Sequence, residues 1–181
     1  MSNLRTRLRA VPTLTGKPPA FDPAQTPGEP HGLFVDWLTT AIDNGVPEPC
    51  ATTLSTVDET GRPSGRILIL KNVDERGWQF ASSAGSRKGR ELATHPLAAL
   101  TFYWVPLGRQ VRITGTATPA DPAESLADLM ARPPSARTQA DWTLYTLDAD
   151  EVEFWQADPD RNHLRLRYDR SSDGAWTKGL L

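Results

Sequence analysis

An antiparallel β-barrel, closed or split, with a few flanking helices is the fold class that the sequence predicts. Three observations point to it. The chain carries about seven short strand candidates, most of them are joined by tight turns rather than by helices, and its 181 residues suit one domain with one real core.

The elements follow in order. Five prolines between Lys17 and Pro30 are too dense for a helix, so residues 1–29 are expected to form an extended or disordered arm ahead of a domain at 30–181. Leu33, Phe34, Trp37, Leu38, Ala41 and Ile42 recur at helical spacing before Gly45, which predicts an amphipathic helix packed on a sheet. A meander then reads Thr52–Val57, Arg66–Val73 and Trp78–Ser82, with turns at 58–61 and 74–77. Ser86 can cap a short helix to about His95, and Pro96 ends it before the apolar strand Ala98–Val105. A turn at 106–108 leads into Gln110–Thr118. Asp121, Pro122 and Glu124 then open a helix expected to reach Arg132. The last strand candidates are Glu151–Gln156, Leu164–Tyr168 and Trp176–Leu180.

Composition narrows the function. Twenty basic against 22 acidic residues leave a net charge of −2, which argues against a general nucleic-acid binder or a binder of anionic membranes. Any anion site must be local. Cys50 is the single cysteine, so no intramolecular disulfide forms and a cytoplasmic location is the default expectation. No apolar run approaches bilayer length. The first 21 residues hold Arg5, Arg7, Arg9 and Lys17 without an acid, which fits an organellar presequence, a disordered arm, or an arm that folds over an anionic ligand.

Three cationic constellations stand out. Arg66 and Lys71 flank the apolar run Ile67-Leu68-Ile69-Leu70, which is equally readable as a buried strand whose ends reach solvent. Ser86-Arg87-Lys88-Gly89-Arg90 opens a helix, where unpaired N–H groups and the helix dipole favour an anion, unless it is simply a solvated turn. In the run 161–168 a strand would align Arg161, His163, Arg165 and Arg167 on one face. Aligned cations are costly unless a bound anion or acidic partners offset them, and Asp158 and Asp160 could be those partners. Gln110 and Arg112 alternate with Val111 and Ile113, placing Gln110 where it could hydrogen-bond the edge of a heterocycle. His31, His95 and His163 show no metal-type spacing, and no phosphate-binding glycine loop or nucleophile machinery is visible. Cations without an acid/base pair suit a cofactor that performs the reaction itself.

These segments, in this order, resemble the pyridoxamine 5′-phosphate oxidase family of FMN-binding split barrels. The resemblance rests on Ala51–Asp58, Gly61–Ser64, Arg66–Lys71, Asp74–Gly77, Gly85–Leu92, Phe102–Trp104, Arg109–Arg112 and Val152–Gln156, followed by Arg161, His163 and Arg165. It spans about residues 30 to 181. It implies a homodimer with FMN at the subunit interface. Arg66, Lys71, Arg87 and Lys88, with the strand Ile67-Leu68-Ile69-Leu70 between the first two, would hold the phosphate or ribityl chain, with Ser82 beside them. Gln110 from the partner subunit, Trp155 and Arg165 would contact the flavin. Arg161 and His163 would face the substrate as the catalytic pair, and Lys71 would also reach it. The implied reaction is that of an FMN-dependent oxidase, in which a small anionic amine, alcohol or dihydro-ring compound gives hydride to the flavin and molecular oxygen reoxidises it. A flavin or nicotinamide-dependent reductase and a non-catalytic FMN-binding module are the alternatives.

Two departures from the family pattern bear on the substrate. The connection between Trp142 and Glu151 is much shorter than in the family oxidases and lacks a Gln-Ser pair that touches FMN. Arg132 matches an arginine that binds the substrate phosphate, yet Asp128 and Ala136 replace the tyrosine and serine that assist it. A carboxylate there disfavours a phosphate, which leaves two substrate classes open, the vitamin B6 phosphate and a reduced ring compound of secondary metabolism.

Overall fold

The computed structural model describes residues 3–181. Strands β1 (Ala51–Val57), β2 (Pro63–Asp74), β3 (Gly77–Ser83), β4 (Leu97–Trp104), β5 (Arg109–Pro119) and β6 (Trp142–Gln156) are ordered β3-β2-β1-β4-β5-β6, and pairing of β3 with β6 closes them into an antiparallel barrel. β7 (Leu164–Arg170) and β8 (Trp176–Leu180) continue the sheet beyond β6. The mainly β barrel with flanking helices is the expected fold. Short-range pairing makes most of it, because every strand pairs with at least one sequence neighbour, while β1–β4 and β3–β6 close the barrel over longer distances.

The strand expected only from Glu151 begins nine residues earlier, at Trp142. Its first half pairs with β3, from Ser83↔Trp142 to Trp78↔Leu147, and its second half with β7, while β5 runs along both halves. Asp148 and Asp150, poor strand formers, hide this continuity in the sequence. Gly115 pairs with Ala149 where the register with β5 shifts, the bulge that lets so long a strand bend around the closure.

The core fills from the strands' alternating buried residues, among them Leu54, Leu100, Phe102, Val111, Ile113, Val152 and Phe154. Helix α2 (Pro30–Asp43) lays Leu33, Phe34, Trp37 and Ala41 against it, with ring centroids 5.0 Å apart for Phe34–Phe102 and 5.2 Å for Trp37–Phe154. Ile42, expected on the same stripe, lies exposed on the helix's outer side. Helix α3 (Arg87–Thr94) is capped by the Ser86 hydroxyl, which accepts from Gly89 N–H. Helix α4 (Pro122–Ala131) is capped by Asp121 and packs on β6.

The lead-in follows the barrel wall. Gln156 donates to the Pro19 carbonyl, Tyr168 to that of Pro27, and Lys178 to that of Thr26. Arg109 lies buried between these segments, its guanidinium 4.1 Å from the Trp37 ring and 5.9 Å from that of Phe21, while its Nε donates to Gln156. Burial pulls its pKa down to about 10. Pro23–Gln25 forms one 3-10 turn within the proline-rich stretch, and a short helix (Leu4–Ala10), capped by Asn3, precedes it and buries no side chain. We number that helix α1. Among the described residues no helix is long and apolar enough to cross a membrane.

Candidate functional site

Two half-sites emerge, both built on a buried glutamate. The first gathers at the N-terminus of α3. Period-two alternation turns Ser64, Arg66, Leu68 and Leu70 of β2 to one side and Gly65, Ile67, Ile69 and Lys71 to the other. Arg66 thereby meets α3: its Nη1 donates to the Leu54 carbonyl at 3.2 Å and to Thr56 Oγ1 at 2.6 Å, and its Nη2 to Ser64 Oγ at 2.5 Å and Glu91 Oε2 at 3.1 Å. One turn earlier on α3, Arg87 Nε donates to Glu91 Oε1 at 2.7 Å. Ser82 Oγ lies 3.2 Å from Ser86 Oγ, and Lys88 Nζ is 3.4 Å from the same hydroxyl.

Glu91 is only 5% exposed. Burial alone would raise its pKa, but hydrogen bonds from Thr56, Ser64 and Arg87 outweigh that and hold it at about 2. Burial and the nearby Arg66 charge lower the pKa of Lys88. Arg66, Arg87 and Lys88 against Glu91 leave two positive charges beside the free N–H groups of a helix start, an arrangement suited to a dianion such as a phosphate monoester. Of the apolar run between the first pair of cations, Leu68 and Leu70 turn toward the core, so a ligand meets them only through their main chain. β2 pairs with β1 through Ile69 and with β3 only from Leu70, which leaves one edge of Arg66–Ile69 without a strand partner.

Lys71 stands apart from that cluster, on the bulge between Leu70 and Asn72. Its Nζ lies 3.6 Å from Asp128 Oδ1 on α4, and Asp128 Oδ2 accepts from Trp142 Nε1 at 2.7 Å. Arg132 stacks on the Trp142 ring at 4.1 Å, and its buried Nη1 has no hydrogen-bond partner among the described residues. Lys71 and Arg132 are therefore both gathered on the Asp128–Trp142 pair, one on each member.

The second half-site is a row across four strands. Tyr103 of β4 lies opposite Gln110 of β5, Gln110 opposite Trp155 of β6, and Trp155 opposite Arg165 of β7. In the adjacent row Arg112 faces Glu153, which faces Arg167. Glu153, 4% exposed, receives Arg112 Nη2 at 2.5 Å and has Arg165 Nη1 at 3.9 Å. With His163 these side chains, Arg167 excepted, line a cavity of about 310 Å³. Tyr103 also borders an apolar cleft with Ala51, Thr53 and Ile67.

The run 161–168 departs from expectation. β7 begins only at Leu164, and Arg161 sits ahead of it at φ +64°, closing a turn in which its N–H donates to the Asp158 carbonyl and Asp160 N–H to the Asp158 carboxylate. Arg161 is therefore not in register with Arg165. His163 does keep that face, its ring centroid 4.9 Å from that of Trp155. The aligned cations find their acids on the neighbouring strands, Glu153 for Arg165 and Glu151 with Asp169 for Arg167, not in Asp158 and Asp160. The two aspartates are close in sequence, yet the Asp158 carboxylate is taken by the turn's own main chain and neither is paired with the arginines of β7.

Sequence reasoning missed Glu91, Glu153, Thr56, Ser64 and Tyr103. The spacing Arg87–Glu91 was one available signal; for Glu153 only strand pairing reveals that it serves two arginines.

Comparison with known proteins bears on the family and the fold. A family model described as pyridoxamine 5′-phosphate oxidase matches residues 38–171. A pyridoxine/pyridoxamine 5′-phosphate oxidase of Paraburkholderia phymatum is 38% identical, covering 87% of this chain and 91% of the relative, and one of Ralstonia pickettii is 36% identical over the same shares. Among solved structures, PhzG from Burkholderia lata, in complex with tetrahydrophenazine-1-carboxylic acid, superposes with a TM-score of 0.85 at 30% identity, covering 92% of this chain and 99% of that one. A pyridoxamine 5′-phosphate oxidase-related, FMN-binding protein of Nostoc punctiforme shares the fold at 19% identity and TM-score 0.66, covering 84% and 97%.

Proposed function

The chain belongs to the pyridoxamine 5′-phosphate oxidase family, and from that premise we propose that it is an FMN-dependent oxidase, working as a homodimer on a small anionic ring substrate. The observation that carries the reading is the clamp of Arg66, Ser82, Ser86, Arg87 and Lys88 at the start of α3, whose net charge fits the FMN phosphate. The open edge of Arg66–Ile69 offers main-chain groups to the ribityl chain.

The positions of the two halves support the homodimer. Arg66 faces α3, whereas the row Tyr103–Gln110–Trp155–Arg165 continues the opposite side of the sheet, where Thr53 joins Thr101 to Ile67 and Tyr103 lies two residues beyond Thr101 on the same face. From β2 to β5 is also three strand spacings, about 14 Å. One chain thus offers a phosphate clamp and a ring platform that face apart, and a second copy brings one against the other. Ile67, Ile69, Leu97, Tyr103 and Val105, all exposed and large, mark the face that would be covered.

FMN supplies the electron acceptor for substrate oxidation, with molecular oxygen as the final oxidant. The protein's part is position and field. Gln110 would hydrogen-bond the flavin edge, Trp155 would pack beside it, and Arg165, with Glu153 3.9 Å away, would add its charge to the platform. His163, packed at a tilt against Trp155, and Arg161, in the turn beside it, would address the substrate over the ring.

The substrate's anionic group would meet Lys71 and Arg132. Asp128 already occupies Lys71, which weakens this corner for a phosphate dianion and favours a singly charged carboxylate. The complex of PhzG with a tetrahydrophenazine carboxylic acid supports a reduced ring carboxylate as the substrate class. Mixing the yellow holoprotein with such a compound and with pyridoxamine 5′-phosphate in air tests this. Hydrogen peroxide should form with the first in preference to the second; equal or reversed rates reject the substrate assignment, and no peroxide with either rejects the oxidase.

A further inference from the structure

Arg87 and Arg66 are not equivalent in the clamp, and the difference lies in Glu91. The terminal nitrogens of Arg66 are spent inside the protein, on the Leu54 carbonyl, Thr56, Ser64 and Glu91. Arg87 gives Glu91 only its Nε; its two terminal nitrogens carry no hydrogen bond among the described residues, on a side chain that is 61% exposed. A long, exposed arginine normally samples many rotamers, and fixing it on binding costs entropy. Here one contact at its neck removes much of that freedom beforehand.

We propose that Glu91 is the positioning residue of the phosphate clamp: its buried carboxylate locks Arg66 as a backing charge and orients Arg87 so that the free end of its guanidinium, beside Lys88, meets the phosphate. This rests on the FMN reading above. Glu91 touches no ligand itself. It is held from four sides, by Thr56, Ser64, Arg66 and Arg87, so its oxygens are as fixed as the barrel and the helix that carry them. Direct phosphate contact falls to Arg87, Lys88 and the Ser82–Ser86 hydroxyl pair, with Arg66 acting through charge.

A carboxylate near a phosphate also repels it, so charge and position pull in opposite directions and can be separated by substitution. Glu91→Gln removes the charge and keeps the shape and an acceptor for the arginines. Glu91→Ala removes both, and Glu91→Leu removes the acceptors while filling the space, should the alanine variant fail to fold. The measurement is titration of apoprotein with FMN and with riboflavin, following flavin fluorescence, together with the melting temperature of the apoprotein.

For Glu91→Ala or Glu91→Leu the preference for FMN over riboflavin should fall about ten- to a hundredfold, the loss of one charge-assisted hydrogen bond's worth of discrimination. Glu91→Gln should retain most of it. A merely structural role would lower the melting temperature and weaken both flavins alike, leaving the preference unchanged, and that result overturns the proposal. So does tighter FMN binding in all three variants, which would make Glu91 only a source of repulsion, and so does an equal loss in Gln and Ala, which would assign the effect to charge alone. A wild-type protein without preference for FMN rejects the phosphate-clamp reading itself, and the role of Glu91 with it.

Discussion

The main-chain N–H of Asp158 donates to Nδ1 of His163 at 3.1 Å. A neutral imidazole that accepts at Nδ1 carries its hydrogen on Nε2, so the turn ahead of β7 sets the tautomer as well as the ring's place on Trp155. The group offered to a ligand in the adjoining cavity is then an N–H donor.

Replacing His163 by alanine should keep the yellow colour and the dimer while lowering turnover, and Arg161→Ala should do the same through its separate place in the turn. Arg165→Ala should instead lose flavin. A transition-state contact shows mainly in kcat and a uniform binding contact mainly in KM, so steady-state kinetics separate the two roles. Unchanged turnover in both the His163 and Arg161 variants would falsify their assignment to the substrate.

Removing Arg87 and Lys88 together should weaken FMN by ~2–5 kcal/mol, the range for truncating charges that the bound phosphate itself would bury. Equilibrium dialysis or fluorescence titration reads this directly. Normal affinity in the double variant means that these side chains belong to a solvated turn.

Ile67 is 65% exposed at the centre of the apolar face on β2. Ile67→Asp should yield a monomer by light scattering and, because the ring platform is then missing, a protein that binds FMN poorly. A dimer with full flavin occupancy places the interface elsewhere.

Stability should fall in acid in a window set by Glu91. Its pKa drops from 4.5 to about 2 on folding, so the folded state binds fewer protons than the unfolded one between those values. The contribution is complete above about 4.5 and is lost as pH falls toward 2. Urea midpoints of wild type and Glu91→Gln, compared from pH 6 to 3, should converge as acid removes the wild-type advantage. Parallel curves contradict the assignment.

Gly115 sits where β5 and β6 shift register, and a Cβ there would lie inside contact distance of the Asp148 carbonyl. Gly115→Ala should therefore destabilise the barrel by about 2 kcal/mol or more, against a few tenths for Gly179→Ala, whose Cβ meets nothing. Thermal melts of the two variants make the comparison.

Local chemistry determined much of this protein from its sequence. Alternation along Thr52–Val57 and Gln110–Thr118, the turns at Gly61 and Gly77, the Ser86 cap and the clustering of Arg87 and Lys88 all depend on residues a few positions apart, where period and capping rules act. Tertiary structure decided what depends on distant pairing. The start of β6 at Trp142 follows from β3 and β5 arriving on either side, which outweighs the poor strand propensity of Asp148 and Asp150. The aligned run from Arg161 broke because Asp158 folded a turn onto it, and the acids for Arg165 and Arg112 came from one glutamate on a strand between theirs. Glu91 meets Thr56 and Ser64 across 35 and 27 residues, a separation over which charge pattern alone carries no signal, since only the closed barrel makes them neighbours.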